Sequence, residues 1–354
     1  MHYLHNKLSI ALRSASLMLL SLLPFSPAIS DVFTNQEDYS FEQIIPVNLT
    51  APANPGFPIG IGSEGWIKLQ FSITADGSTD NIKIIDVMPE GFSTGPAINA
   101  VKAWTFQPAI LDGTALDWHN NIVVINYDLP EIPNLSGPRF TTPYEEIQEL
   151  INAGQYDRAE RQAVTNLKEE TFSLHDIGLG NVQLALVEIR RQDLHQALQA
   201  ITRATIPEVN QLTIEELDVA LQYRFTIELS LGRFMDAINT YELRNEIVEM
   251  AEDDTIHQQA EQLQMLLDQN YTLIAKGKIL DSNKGWFFIP SLRNFTIADI
   301  DGELESIDVV CNRNLATLPF QPDIEWSLPE SWGDCSLTIN GDMNTTFSFY
   351  ELQD

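Results

Sequence analysis

The amino-acid sequence predicts a multidomain α+β protein, and three observations carry that prediction. Residues 31–127 alternate apolar and polar positions between clusters of Gly and Pro, as strands with one buried face do. Residues 144–275 contain one proline, Pro207, and place Leu, Ala, Gln and Glu at helical spacing. From Lys276 onward, short runs of Trp, Phe, Ile, Val and Thr return, divided by Gly, Pro and Asp. The expected parts are a signal segment (1–30), an α+β domain (31–130), a Pro-rich linker (131–143), helical repeats (144–275) and a β domain (276–354). A chain of 354 residues has room for them, since one domain takes about 100–200 residues. The formal net charge of −30 repels nucleic acid and anionic lipid and argues against a polyanion-binding role. Two cysteines, Cys311 and Cys335, are too few for a zinc cluster or a disulfide-dense scaffold.

Lys7 and Arg13 give the N-terminus a basic start, and no acid occurs before Asp31. An apolar run, 14–23, leads to the helix breaker Pro24, and Ala28 and Ser30 are small residues at −3 and −1 of a cut before Asp31. This is the pattern of a secretory signal, with cleavage expected between Ser30 and Asp31. The alternative is an uncleaved anchor. The uncharged stretch 14–30 has only 17 residues and two prolines, against the roughly 20 needed to span a bilayer.

In the first domain, Trp66–Ile73 alternates as a strand and Ala75–Ser78 supplies a turn. Asn81–Val87 returns as the second strand. Pro96–Phe106 follows with a helical period that Pro108 ends, and Trp104 near its end is placed to pack across the sheet. Asn121–Leu129 is the third strand, with Val123, Ile125 and Tyr127 on the inward face and Ile122, Val124 and Asn126 on the other. The result is a two-layer ββαβ unit.

Several words of this segment stand together: Glu64-Gly65, Lys68 through Phe71, Asp76-Gly77 with Asp80-Asn81, Lys102-Ala-Trp104-Thr-Phe106-Gln-Pro108, and Val123-Val124. With them the segment, roughly 44–130, resembles the C-terminal domain of the TonB family of energy transducers. The resemblance implies structural roles for Gly65, Asp76, Gly77, Trp104 and Pro108. It also implies that the domain captures an extended segment of an outer-membrane receptor by adding a strand beside its last strand, at Asn121, Ile122, Val123, Val124, Ile125, Asn126 and Tyr127. Energy-transducing members carry an uncleaved anchor and a long Pro-rich spacer. Here the leader reads as cleavable, Pro52–Pro58 replaces the usual approach to the first strand, and Ala103 stands where a basic residue often does. The expectation is therefore a periplasmic, non-catalytic binding or adaptor protein. The alternatives are an inner-membrane-anchored energy transducer facing the periplasm, and an envelope scaffold acting through its helices.

Three passages of the middle region share a pattern. They centre on Tyr156 and Ala159, Leu194 and Ala197, and Phe234 and Ala237, with Gly154 and Gly232 five residues before the Ala in two of them. This is similar to tetratricopeptide repeats, whose helix pairs need a small residue where they cross. In the last unit, Trp286–Ile289, Phe295–Ile297, Glu303–Val310, Leu337–Ile339 and Thr346–Tyr350 read as strands of a small sandwich. Asp301-Gly302 and Asn340-Gly341 read as hairpin turns. Cys311 and Cys335 have no His nearby to activate a thiol, and a structural disulfide is expected. Flexible connections are expected to limit coupling between the units, so that loss of the bond would destabilise the last one alone.

No catalytic set emerges. His119, His175, His195 and His257 fit no zinc spacing. The stretch from Gly60 to Gly65 matches a dinucleotide fingerprint by letter but leads into a strand, whereas a phosphate cradle opens a helix. The stretch from Gly91 to Gly95 imitates a nucleophile elbow, but Pro89 breaks the strand before it and no Asp-then-His order follows within this domain. No enzyme activity, cofactor, metal, nucleic acid or small-molecule substrate is expected. The partner is expected to be an envelope protein, and the oligomeric state stays open.

Overall fold

A computed structural model describes residues 41–42, 44–49, 64–127, 137–171, 173–209, 212–248, 254–267 and 271–353. The expected cut between Ser30 and Asp31, and Pro52–Pro58, lie outside the described residues. In chain order the first domain runs Phe41–Glu42 (β1), Ile45–Asn48 (β2), Gly65–Ile73 (β3), Thr79–Met88 (β4), Gly95–Lys102 (α1), Thr105–Gln107 (β5), Ala109–Leu111 (β6), Thr114–Leu116 (β7) and Trp118–Tyr127 (β8). Its sheet is antiparallel in the order β4–β3–β8. Ile67, Leu69, Phe71 and Ile73 project from one face of β3 into a core with Ala97, Val101, Trp104, Ile125 and Tyr127. This is the expected two-layer ββαβ unit, with Trp104 packed edge-on against Phe71 at 5.9 Å.

The helix is shorter than its sequence pattern. It stops at Lys102, and Thr105–Gln107 pairs as a strand with β2. The Phe106 N–H donates to Gly77 O at 2.8 Å, outside any helix, so the turn between β3 and β4 takes the donor that another helical turn would use. Gly77 is required there. Its φ is +85°, and a Cβ would stand 2.1 Å from Phe106 O. Asp76 shapes the same turn, its Oδ1 accepting from Thr74 Oγ1 and from Ser78 N. Pro108 separates β5 from β6.

The middle region holds, among the described residues, seven α-helices: Pro138–Asn152 (α2), Tyr156–Glu169 (α3), Leu174–Arg191 (α4), Leu194–Ala204 (α5), Ile214–Ser230 (α6), Phe234–Ile247 (α7) and Thr255–Leu267 (α8). Part of the stretch read as a linker belongs to α2. Pro138 is tolerated at the first helical turn, where its missing N–H would have no partner anyway, and Pro143 lies further along the same helix. The three repeated passages are the turns of three helical hairpins, α2–α3, α4–α5 and α6–α7. Gly154 and Gly232 have φ of +72° and +73°, and Gln192 takes the same left-handed conformation in the α4–α5 turn. Ala159, Ala197 and Ala237 are fully buried, as small residues at close helix crossings must be.

The last unit has Leu273–Lys278 (β9), Trp286–Phe288 (β10), Asn294–Asp301 (β11), Leu304–Cys311 (β12), Asn314–Pro319 (β13), Glu325–Ser327 (β14), Cys335–Gly341 (β15) and Thr346–Leu352 (β16). They form two four-stranded antiparallel sheets, β10–β15–β12–β13 and β14–β11–β16–β9, around one aromatic core. Its first strand begins at Leu273, inside the stretch read as helical. Asp301-Gly302 and Asn340-Gly341 are not hairpin turns. Each stands where the chain leaves one sheet for the other, since β11 pairs with β16 while β12 pairs with β15. Wrapping two sheets around one core makes the chain change layers at these points. The tight reversal is instead Asn312-Arg313, between β12 and β13.

Cys311 and Cys335 face each other across β12 and β15 and are bonded. Thiol titration of the unreduced, denatured protein should find no free thiol; about two per chain would contradict the bond. The bond closes a loop across 24 residues, so Cys335→Ser is expected to cost about 3 kcal/mol. That loss should not stay within the sandwich. Ser40–Asp354 is one compact unit, contrary to the expected flexible connections.

Glu351 on β16 is a second stability determinant. Its buried carboxylate accepts hydrogen bonds from the Ser291 and Leu292 amides. Burial pushes its pKa up to about 7, with those bonds partly opposing the rise. A carboxyl whose folded pKa exceeds its unfolded value supports the fold while protonated, and this support is lost as pH rises through the folded pKa. Glu351→Gln keeps an acceptor without the charge. It should raise stability by on the order of 3 kcal/mol at pH 8 and far less at pH 5, measured by urea melts. An equal effect at both pH values would remove Glu351 as the cause.

Candidate partner-binding edge

The sequence-predicted site residues lie together on β8, which pairs with β3 on one side and, among the described residues, with no strand on the other. Ile125 and Tyr127 are buried in the core under α1, Val123 packs against them, and Tyr127 meets Phe92 at 5.5 Å. Ile122 and Asn126 are exposed. Val124 points to the opposite face and packs against a cluster that includes Trp66, Ile206 and Val209.

The backbone phase of the edge follows from one contact. Phe71 O accepts a hydrogen bond from Asn121 Nδ2, so that carbonyl points toward β8. Register is unbroken from Phe71↔Asn121 to Gly65↔Tyr127, and backbone direction alternates along a strand. Asn121, Val123 and Ile125 therefore bond inward to β3, while the N–H and C=O groups of Ile122, Val124 and Asn126 point outward. Sequence alone could not fix this phase.

The face of the sheet away from α1 is covered as well. Trp66 is buried against Leu167, Leu174, Ile177, Ile206 and Val209 of the helical region. Arg203 of α5 makes a bidentate pair with Asp86 of β4, at 2.7 and 2.8 Å, and Lys284 of the sandwich lies 3.6 Å from the same carboxylate. Burial pushes Asp86 up, but the hydrogen bonds and charge of Arg203, with Lys284, outweigh it and hold the carboxyl below its usual range. Lys68 on the same face is pushed down, by burial first and Arg224 second. Glu64 accepts the Leu174 N–H at 2.7 Å. Sequence reasoning missed all these contacts, because their partners lie far apart along the chain and the charged ones look like ordinary surface charges. Among the described residues no group of His, Cys, Asp or Glu could hold a metal ion, and no helix is long and apolar enough to cross a membrane.

Residues 60–129 match the family model for the Gram-negative bacterial TonB protein C-terminal. They form a TonB C-terminal domain. The domain is 30% identical over 70 residues to protein TonB of Pseudomonas aeruginosa, covering 20% of this chain and 20% of that protein. The chain thus spans about a fifth of that relative's length. Among solved structures, it is similar to the solution structure of the Pseudomonas aeruginosa TonB C-terminal domain, at 23% identity and a TM-score of 0.22, covering 25% of this chain and 90% of that one. It is also similar to the TonB2 protein of Vibrio anguillarum, at 25% identity and a TM-score of 0.21, covering 31% and 99%. The helical region and the sandwich lie outside the matched residues of the TonB C-terminal domain.

Proposed function

We propose that this is a periplasmic, non-catalytic adaptor whose TonB C-terminal domain captures an extended segment of an outer-membrane receptor by strand addition beside β8. The observation that carries the reading is the β8 edge, with the backbone groups of Ile122, Val124 and Asn126 directed away from β3. Such an edge provides affinity through main-chain bonds and selectivity through alternate side-chain positions. The three helical hairpins, read as tetratricopeptide-like repeats, and the sandwich then serve as a rigid mount that leaves this edge presented. A mount buttressed by Arg203–Asp86 and the Trp66 cluster suits holding a partner in place.

The test is a titration of the full chain with overlapping synthetic peptides from the periplasmic segments of outer-membrane receptors, read by amide hydrogen exchange. Binding should protect the amides of Ile122, Val124 and Asn126, with little change at Val123 and Ile125, which are already bonded. Protection confined to 144–275 would instead make the helices the partner-binding element.

A further inference from the structure

The receptive edge is closed at one end by the chain itself. The His119 N–H donates to Asn312 O at 2.7 Å, so the outer side of β8 is already occupied at that position. Next to it, Asn120 has a φ of 60°, and its Oδ1 accepts from Ser336 Oγ at 2.8 Å and from Gln70 Nε2 at 2.8 Å. Gln70 Nε2 also reaches Ser336 Oγ at 3.2 Å, and both Gln70 and Ser336 are buried. Asn312 directly follows Cys311, and Ser336 directly follows Cys335. The one disulfide therefore ties together the two chain segments that grip β8. Asn312 N to Asp334 O, at 2.9 Å, closes the same corner.

We infer that this disulfide corner is a built-in stop for strand addition, with Asn312 and Ser336 as positioning residues that set where a captured segment must end. The inference rests on the strand-addition reading and adds the register of the complex to it. An added strand can run beside Ile122–Tyr127, about 20 Å at ~3.3 Å per residue. At Asn121 it meets the sandwich and must turn away. The fitting partner is thus a short extended segment that ends or turns away at the Asn121 end. A longer extended segment loses pairing at its other end, because His119 has already given its outward N–H to Asn312. Side-chain selectivity is then read in a fixed frame, since a slip of one residue would reverse which side chains face each side of the sheet.

The experiment compares two receptor-derived peptides on the full chain. The short one pairs only along Ile122–Tyr127, and the long one carries further residues at the Asn121 end. Cys311→Ala/Cys335→Ala unties the corner. His119 amide exchange should then accelerate at least about tenfold more than Ile125 exchange, which reports the shared loss of stability, and the long peptide should gain about fivefold over the short one, the worth of one recovered backbone bond. Ser336→Ala keeps the disulfide and serves if the double variant loses the fold. It should shift the same ratio in the same direction, about twofold. An unchanged long-to-short ratio in every folded variant overturns the stop while leaving strand addition intact. Failure of both peptides to bind the unaltered chain defeats the strand-addition reading itself.

Discussion

Val124→Pro is expected to abolish capture of receptor-derived peptides while the protein stays folded. Proline deletes the one backbone donor at that position and is tolerated on an edge strand only where the N–H points away from the sheet. The Val124 N–H points outward, by the phase that the Asn121–Phe71 contact sets. Its loss removes the central donor of the edge, and the ring blocks close approach of an added strand. Each missing main-chain bond weakens binding by about 1 kcal/mol, and the steric block adds to that. Ile125→Pro is the contrasting variant. Its N–H bonds inward toward Ile67 and its side chain is buried, so proline there should disrupt the β3–β8 pairing and lower stability by about 3 kcal/mol or more. Asn126→Pro, at an exposed outward position, should reproduce the Val124 effect with less lost packing. The checks are circular dichroism for folding and isothermal titration with peptide. If folded Val124→Pro and Asn126→Pro proteins both bind at full strength, strand addition at β8 is wrong.

How much of this was legible in the sequence depended on the distance over which each feature is decided. The alternation of Trp66–Ile73 foretold β3 and its inward face, because a strand's side-chain period is local. It did not foretell that the polar positions Lys68, Gln70 and Ser72 would also be covered. That depends on helices and a sandwich that arrive much later in the chain, and on pairs such as Arg203–Asp86 that leave no local mark. The buried Ala159, Ala197 and Ala237 were legible because a close helix contact demands a small residue, and each stands three residues after a large apolar one. The end of α1 was not, since Gly77, some twenty-five residues upstream in the sequence, takes the donor that would have extended it. The short strands β1, β2, β5, β6 and β7 were missed for a related reason: each is too short to show a period. The β8 edge was legible as a strand, and the partner role proposed for it comes from family resemblance. Its backbone phase and its closure by Asn312 were not, because both are set by three-dimensional register.

The largest expected loss of stability comes from Gly232→Ala. Two separate demands meet at this position. The left-handed φ of +73° in the α6–α7 turn costs an L-residue about 1 kcal/mol. A Cβ would also stand 1.8 Å from Ile274 O and 2.9 Å from its carbonyl carbon, a backbone contact that no rotamer change relieves. Neither side is free to move. Leu231 O accepts the Lys276 N–H at 2.8 Å, and β9 is paired along its length with β16. Relief would require the helical hairpin to part from the sandwich. That would pull Arg233 from the faces of Phe288 and Trp286, at 4.9 and 5.6 Å, and strain the Lys278–Asp193 pair at 2.6 Å. The expected loss is about 4 kcal/mol. Gly154→Ala provides the control, because it has nearly the same φ, +72°, in the matching turn with nothing within 4 Å of its would-be Cβ. It should lose only about 1 kcal/mol. Gln192 already holds this conformation in the α4–α5 hairpin, so the backbone angle alone is tolerable. Urea melts of the two variants separate conformation from contact. Equal losses at Gly154 and Gly232 would mean that the hairpin does not press on β9, and the rigid mount proposed for the β8 edge would lose its main support.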